Sequence, residues 1–234
     1  MQIHSVNALP RWKRLADIAG CLIALPLLAI VALGAALFTS MVAPGPIFFR
    51  QERVGYMGRR FLLYKFRTMQ VNANTALHQS HSSYFINSSS PMQKLDVRDN
   101  RLIPGAWLWR ASGLDELPQI INVLRGEMSI VGPRPCIPYE YEAYTTEQRD
   151  RLQSVPGLTG LWQVSGKNRT TFAEMVRLDI AYSRQRSPAL DFRIVLRTIP
   201  ALFAQLSDMR KARRVAIRPV SFGVGAPLEN AGSH

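Results

Sequence analysis

A long apolar stretch near the N-terminus, IAGCLIALPLLAIVALGAALFTSMVA at residues 18–43, governs how this chain can fold, because it contains no charged side chain. A helix of that length would measure roughly 39 Å, whereas the hydrocarbon core of a bilayer is about 30 Å thick. A cleaved signal peptide is a poor match because the apolar region is longer than the usual signal core. The stretch therefore predicts a helix embedded in a membrane.

Positively charged residues flank this stretch on both sides. They are Arg11, Lys13 and Arg14 before it and Arg50, Arg53, Arg59 and Arg60 after it. Since positive residues favour the cytoplasmic side, both flanks are expected there, which a single span cannot achieve. Pro26 interrupts the hydrogen-bond ladder, so a bent, re-entrant helix fits both observations. An ordinary kinked span is the alternative, because membrane helices tolerate proline.

The charge balance narrows the class of partner. The 234 residues carry a formal net charge of +13, which favours nucleic acid, anionic lipid or a nucleotide substrate. Zinc-finger spacing, an RNA-binding signature and a basic zipper are all missing from the sequence, which disfavours nucleic acid. The two cysteines, Cys21 and Cys136, do not form a disulfide framework and indicate a reducing compartment. The histidines, at positions 4, 78, 81 and 234, lack the spacing of a metal site.

The remaining sequence predicts a mixture of helices and short strands. Residues 44–69 predict a β-hairpin, 72–93 a long polar loop, 128–135 a short strand entering a rigid turn, 139–153 a surface helix and 155–168 a glycine-punctuated loop. Thr171 and Glu174 form a capping box for one helix, and Ser187 with Pro188 begins the last helix.

The last predicted helix is amphipathic. Its apolar face carries Phe192, Val195, Ile199, Leu202 and Leu206, with arginines opposite. That face could pack in the core or lie on a membrane surface. After Asp208 the chain becomes basic and then rich in glycine and proline, which predicts disorder.

The segment SGLDELPQ, residues 112–119, places two carboxylates side by side. Neighbouring helix positions point about 100° apart, so Asp115 and Glu116 cannot face one another. One interpretation is structural: Asp115 caps a helix, Glu116 and Pro118 lie in its first turn, and the helix ends near Gly126. The surrounding motifs favour a second, catalytic role.

Several motifs occur together in one order: KRLAD, GPIFFRQERVGYMGRRFLLYKFRTM, LDELPQIINVLRGEMSIVGPRP, PGLTGLWQVSGKN and LDIAYSRQRSPALDFRIVLRTI. Over residues 11–205 the chain resembles the bacterial sugar transferases, monotopic phosphoglycosyl transferases that act on polyprenyl phosphate. The resemblance implies an α+β, predominantly helical fold of the minimal catalytic unit. It comprises a re-entrant helix at 11–43 bent at Pro26, a catalytic domain at 44–206 and a basic tail at 207–234. The expected location is the cytoplasmic face of the bacterial inner membrane.

The resemblance also implies a reaction. Asp115 would attack the β-phosphate of a UDP-sugar, UMP would leave, and undecaprenyl phosphate would then take the phosphosugar from the aspartate. Glu116 would complete the catalytic dyad, and Mg²⁺ would bind at Asp115. The expected partners are the UDP-sugar, undecaprenyl phosphate and anionic inner-membrane lipids, with a homodimer as a further candidate and no nucleic acid. The identity of the sugar and of the downstream glycan stays open.

Basic and polar residues complete the expected site. Arg110 and Arg134 match family positions linked to phosphate, with Lys65 and Arg67 as further phosphate-binding candidates and Gln163 and Lys167 as nucleotide- or sugar-binding candidates. Without the motifs, the arginines would be read as surface residues paired with carboxylates. The chain departs from the family pattern with Leu25 before the proline, where serine is common, and with Gly113 and Lys167. A membrane scaffold would not require this combination of residues.

Overall fold

The computed structural model describes residues 9–71, 83–86, 88–92, 99 and 101–217, with side chains as far as 212. Its helices are α1 (Arg11–Val42), α2 (Ala106–Ser112), α3 (Ile120–Arg125), α4 (Pro138–Ala143), α5 (Thr146–Arg149), α6 (Leu161–Val164), α7 (Phe172–Gln185) and α8 (Pro188–Ile217). Its strands are β1 (Phe48–Val54), β2 (Arg60–Phe66), β3 (Ser129–Val131) and β4 (Gly157–Thr159). The four histidines, most of the predicted 72–93 loop and residues 218–234 of the predicted tail lie outside the described residues.

Helix α1 is the one described helix that is long and apolar enough to cross a membrane, and it has Pro26 inside it. Only 11% of its most apolar window is buried, because large side chains such as Ile23, Ile30 and Met41 are exposed. Exposed apolar surface of this extent is typical of contact with lipid. The apolar N-terminal helix is thus confirmed, whereas its re-entrant course stays a prediction.

The N-terminal end of α1 is fastened to the rest of the protein by buried polar contacts. Lys13 donates a hydrogen bond to Asp191 at the start of α8. Asp17 accepts hydrogen bonds from the Ser129 hydroxyl and the Ile130 N–H at β3. Because these charged groups are buried and paired, they fix how the helix leaves the domain.

The C-terminal end of α1 contacts the same domain. The Phe38 ring stacks on Trp109 of α2 with 6.2 Å between ring centroids. Trp109 in turn meets Phe66 of β2 edge to face at 6.0 Å, and Arg67 donates to the carbonyl of Ala43 just beyond α1. Both ends of α1 therefore lie against residues that follow it in the chain.

The predicted hairpin is confirmed. Strands β1 and β2 pair antiparallel, with Phe48 opposite Phe66 and Val54 opposite Arg60. The buried Asn122 of α3 holds β2 from the other side, because its side chain accepts from the Tyr64 N–H at 3.1 Å and donates to the Leu62 carbonyl at 2.7 Å. These two hydrogen bonds fix the position of β2 relative to α3 and to the segment before it, which carries Asp115.

The predicted strand at 128–135 is confirmed as β3, which pairs in parallel with β4. The two backbone segments approach very closely just after β3, where Gly132 meets Gly157. A Cβ added to Gly157 would lie 2.0 Å from the Gly132 nitrogen, so both positions exclude a side chain. This contact fixes the Gly-Pro-Arg-Pro turn against the 155–168 segment.

Two segments differ from their prediction. Residues 139–153 do not form one surface helix but break into α4, α5 and a 3₁₀ turn at Asp150–Gln153, with Tyr144 and Arg151 buried. Residues 155–168 are not an irregular loop, since they contain β4, α6 and the start of a second 3₁₀ turn at Lys167–Arg169. In both cases tertiary contacts decide the local structure rather than helical periodicity.

The last two helices begin as predicted. The Thr171 hydroxyl accepts from the Glu174 N–H at 3.2 Å while the Glu174 carboxylate accepts from the Thr171 N–H, and Ser187 accepts from the Leu190 N–H at the start of α8. Helix α8 continues to Ile217, beyond the predicted end of the catalytic domain.

The apolar face of α8 is not buried. Phe192 is 66% exposed, and Val195, Ile199, Leu202 and the nearby Phe203 are also exposed, whereas Leu206 is half-buried. Core packing is therefore excluded for the exposed side chains. The exposed face supports the alternative interpretation, a helix lying on a membrane.

Candidate active site

Asp115 and Glu116 lie in a 3₁₀ helix, Leu114–Gln119, that runs directly into α3. The prediction that Asp115 caps this helix is wrong, because the capping position is Gly113, in the left-handed conformation with φ of 75°. A left-handed residue there ends α2 and starts the next helix at once, which leaves no extended position for a side-chain cap. The predicted helix end at Gly126 is confirmed.

The two carboxylates have different surroundings. Asp115 is 5% exposed, whereas the Glu116 side chain is partly open and accepts an ion pair from Lys65 of β2 at 3.0 Å. Adjacent residues on a tight helix point in different directions, so the Asp115 carboxylate is buried in the protein while the Glu116 carboxylate points toward the Lys65 ammonium. The side chains are thus suited to different tasks.

A cavity of about 260 Å³ opens beside the dyad. The predicted site residues that line it are Asp115, Glu116, Lys65, Arg110, Arg134, Gln163 and Lys167. These side chains come from distant parts of the sequence, and the structure brings them to one cavity. Their individual roles stay predictions.

Arg67 is not among the described residues that line this cavity. Its guanidinium donates to the carbonyl of Pro46 at 2.7 Å and to that of Ala43. These contacts hold the turn between α1 and β1, so the structure supports a role for Arg67 in that turn and provides no support for phosphate binding.

Arg110 enters the cavity from α2 and is tied to α8. Its Nη1 donates to the Thr68 hydroxyl at 3.3 Å, and its backbone carbonyl accepts from Gln205 of α8 at 3.0 Å. Gln205 also accepts from the Lys167 ammonium at 2.9 Å. One glutamine of α8 therefore joins two cationic residues of the cavity.

Arg134 lies in the Gly-Pro-Arg-Pro turn and forms an ion pair with the buried Glu140 at 3.3 Å. Burial alone would raise the pKa of Glu140, but Arg134 and Arg53 hold it below its ordinary value. The backbone carbonyl of Arg134 accepts from the fully buried Arg151, which is itself paired with Asp179. The arginine is thus held at its carbonyl and at its guanidinium.

A family model for bacterial sugar transferases matches residues 8–205. The chain belongs to this family. It is 41% identical over 195 residues to the galactosyl transferase CpsE of Streptococcus agalactiae, covering 80% of this chain and 41% of the relative. It is 40% identical over 185 residues to the exopolysaccharide production protein ExoY of Sinorhizobium fredii, covering 77% and 79%.

A third relative bears a more explicit name. The UDP-glucose:undecaprenyl-phosphate glucose-1-phosphate transferase of Xanthomonas campestris is 37% identical over 188 residues, which is 77% of this chain and 35% of that protein. The chain thus spans less than half the length of two of these relatives and most of the length of ExoY. The recognised part is the part that contains the cavity.

The side chains fit the divalent cation that the family resemblance implies. Asp115 and Glu116 offer hard oxygen donors at the cavity, and Asp99 lines it as well. Within the described ranges no group of three or more acidic, histidine or cysteine side chains forms a preformed metal cage. Mg²⁺ is commonly held by one or two carboxylates completed by substrate phosphate and water, which is what this cavity can supply.

Sequence reasoning missed several residues that line the cavity. Arg53 counted only as a flanking positive charge, and Glu140 as part of a surface helix. Asp99 and Arg101 also line it and form an ion pair of 2.6 Å that keeps the pKa of Asp99 below its ordinary value. No local motif marks these side chains. Arg53, for example, reaches the site only because β1 pairs with the chain after β3.

Proposed function

We propose that this sugar transferase moves a sugar 1-phosphate from a UDP-sugar to undecaprenyl phosphate, with release of UMP. The observation that carries the proposal is the buried Asp115 in a cavity that also gathers Lys65, Arg110 and Arg134. A carboxylate among cations suits attack on an anionic diphosphate. The names of relatives that act on UDP-glucose and undecaprenyl phosphate agree with these substrates.

The transfer proceeds in two steps. A carboxylate oxygen of Asp115 forms a bond to the β-phosphorus of the UDP-sugar, and the bond from that phosphorus to the bridging oxygen breaks, so UMP leaves with the electron pair. A phosphate oxygen of undecaprenyl phosphate then attacks the same phosphorus, and the Asp115 carboxylate departs. Division into two steps prevents the two anionic substrates from having to meet directly.

The other cavity residues bind and orient. Arginine forks bind phosphate oxygens through paired hydrogen bonds, which suits Arg110 and Arg134. Lys65 forms an ion pair of 3.0 Å with Glu116, the residue next to the nucleophile Asp115. Gln163 and Lys167, from α6 and the following turn, are assigned to the nucleotide or sugar. Asp115 would hold Mg²⁺, with Glu116 positioning the metal or the dyad, and the bound ion would neutralise charge on the diphosphate.

Membrane attachment through one face of the bilayer accounts for α1. Lys13 and Phe38, near opposite ends of the helix, both contact the domain that follows it. A straight span would place its two ends about 30 Å or more apart across the hydrocarbon core. With Pro26 in the helix and exposed apolar side chains on α1 and α8, we infer a monotopic, cytoplasmic arrangement.

The arrangement predicts the accessibility of the two flanks. Single cysteines introduced at Gln2 and at Tyr56 should both resist a membrane-impermeant thiol reagent in intact cells and both react after lysis. The native Cys21 and Cys136 are buried, and their replacement by alanine removes any background. Labelling of one flank alone in intact cells would show that α1 is a true span.

A second prediction concerns the fork of Arg134. Arg134→Lys keeps the charge but cannot make two parallel bonds to a phosphate, so turnover should fall roughly tenfold or more. Steady-state kinetics with saturating acceptor measure the effect. Arg149→Lys, an arginine of α5 that stacks on Tyr141 and does not line the cavity in the described structure, is the control. Near-normal turnover of Arg134→Lys would make Arg134 a structural residue.

The proposed function is tested by purified protein with undecaprenyl phosphate and a panel of UDP-sugars. Labelled sugar should appear in the lipid fraction, with one UMP released for each product, and the panel identifies the sugar. A membrane scaffold for other enzymes would form no product with any member of the panel.

A further inference from the structure

Arg53 lies at the end of β1 and is 7% exposed, yet it is one of the residues that line the cavity. Its Nη1 donates to the Pro135 carbonyl at 3.2 Å and its Nη2 to the amide oxygen of Gln51 at 2.7 Å. Both partners are neutral, and its Nε has no hydrogen-bond partner among the described residues. Burial and the positive charge of Arg134 lower the pKa of Arg53 to about 10.

Backbone pairing brings Arg53 to the turn that carries Arg134. The Val54 N–H donates to the Cys136 carbonyl at 2.9 Å, so β1 pairs with the chain just after the Gly-Pro-Arg-Pro turn. Glu140 is the carboxylate that acts on both Arg53 and Arg134. Arg53 and Arg134 thus share Glu140, with Glu116 acting less strongly on Arg53, whereas the neighbouring Arg151 has the carboxylate of Asp179 as its partner. A buried excess of positive charge is costly unless an anion compensates it.

The residues that line the cavity have different connections to the rest of the fold. Val54 follows Arg53 in the chain, and Cys136 follows Pro135. Both belong to a core cluster that also contains Trp162, Phe172 and Met175, and these last three residues line the cavity. That cluster contains no residue of α1 among the described core residues.

Another part of the cavity wall, around Arg110, is tied to α1. Arg110 follows Trp109, which stacks on Phe38 of α1, and its carbonyl is held by Gln205 of α8. The exposed apolar face of α1 is therefore attached to the Arg110 part of the wall, whereas α8 contacts both parts, since it also packs against α6, which carries Trp162. A lipid acceptor approaches from such a face, whereas a water-soluble nucleotide does not need to.

We propose that Arg53 and Arg134 together bind the nucleoside-side phosphate of the UDP-sugar, and that Arg110 serves the phosphate of the lipid acceptor. Arg53 is thereby a substrate-binding residue, and the phosphate supplies the missing negative charge of its wall. This inference rests on the proposed function and adds a direction to it.

The test measures nucleotide binding without turnover. Titration of the detergent-solubilised protein with UMP should show affinity weakened roughly ten- to hundredfold in Arg53→Gln, the loss of a charge-assisted fork. The melting temperature of the free variant should stay equal or rise, because an uncompensated buried cation has been removed. Arg60→Gln, an arginine of β2 whose side chain is 55% exposed, is the matched control and should bind UMP normally.

Arg53→Lys provides a second variant that keeps the charge. It should weaken UMP binding by several-fold and leave the KM for undecaprenyl phosphate within about twofold of the wild-type value. If both variants fold and bind UMP as the wild type does, the proposal is wrong. A rise in the acceptor KM alone would assign the wall to the lipid phosphate and would overturn the proposed direction.

Failure of this inference can be told apart from failure of the proposed function. UMP binding requires no chemistry at Asp115, so the titration retains its meaning even if the wild-type protein forms no lipid product. Conversely, a wild type that turns over while Arg53→Gln binds UMP normally contradicts only the role given to Arg53.

Discussion

Asp115→Asn is expected to abolish product formation while the protein stays folded. Asparagine has nearly the shape of aspartate but lacks the negative oxygen that forms the bond to phosphorus, so turnover should fall by about a thousandfold or more. Asp115 is not the helix cap, and Gly113 starts the helix without help from a side chain. The substitution therefore removes chemistry and leaves the helix start unchanged.

Product formation and the melting temperature, measured on the same preparation, separate loss of chemistry from loss of fold. Asp150→Asn makes the same chemical change at a partly exposed carboxylate outside the cavity and should retain full turnover. Wild-type protein given UDP-sugar without acceptor should release up to about one equivalent of UMP and gain the mass of a phosphosugar. Rapid quenching is required because an acyl phosphate hydrolyses readily. A folded Asp115→Asn protein with substantial turnover would exclude the covalent mechanism.

Features encoded in local sequence were predictable from it. The capping box of Thr171 and Glu174 needs only the spacing of two side chains within one helical turn, and the β-hairpin needs only its turn residues and the aromatic strands beside them. The apolar stretch in α1 likewise announces itself by length and lack of charge. In each case the decisive contacts lie within a few residues of one another.

Features that depend on distant contacts were not predictable in the same way. Arg53 reaches the cavity because β1 pairs with the chain after β3, and Arg67 turns away because the carbonyls of Ala43 and Pro46 receive its guanidinium. The start of the helix that contains Asp115 was misassigned because Asp115 is a good helix cap by type, while the left-handed Gly113 had already ended the previous helix. Residue type alone does not distinguish a cap from a residue inside a tight helix.

The buried ion pair of Arg151 and Asp179 is a second feature that depends on distant contacts, and it affects the stability of the protein. Arg151 is fully buried in a segment that reads as a polar surface helix, and its Nη1 donates to the Tyr144 hydroxyl at 2.6 Å. Its Nη2 donates to the Asp179 carboxylate and, at 3.0 Å, to the Arg134 carbonyl. A single guanidinium therefore joins α7, the 138–153 segment and the turn that presents Arg134 to the cavity.

Arg151→Met should destabilise the protein by about 3–5 kcal/mol, because it leaves the Asp179 carboxylate buried without its cation. For a domain of this size the melting temperature should fall by roughly 6–20 °C. The double variant Arg151→Met/Asp179→Leu should recover most of that stability, since an apolar pair of similar volume avoids the desolvation of both charges. It should not recover turnover, because the Arg134 carbonyl has still lost its donor. Thermal unfolding of the two single variants and the double variant forms the cycle that decides. If Arg151→Met cost as much stability in the Asp179→Leu protein as in the wild type, the two changes would be additive and the ion pair would contribute nothing. The position of Arg134 would then have to depend on other contacts.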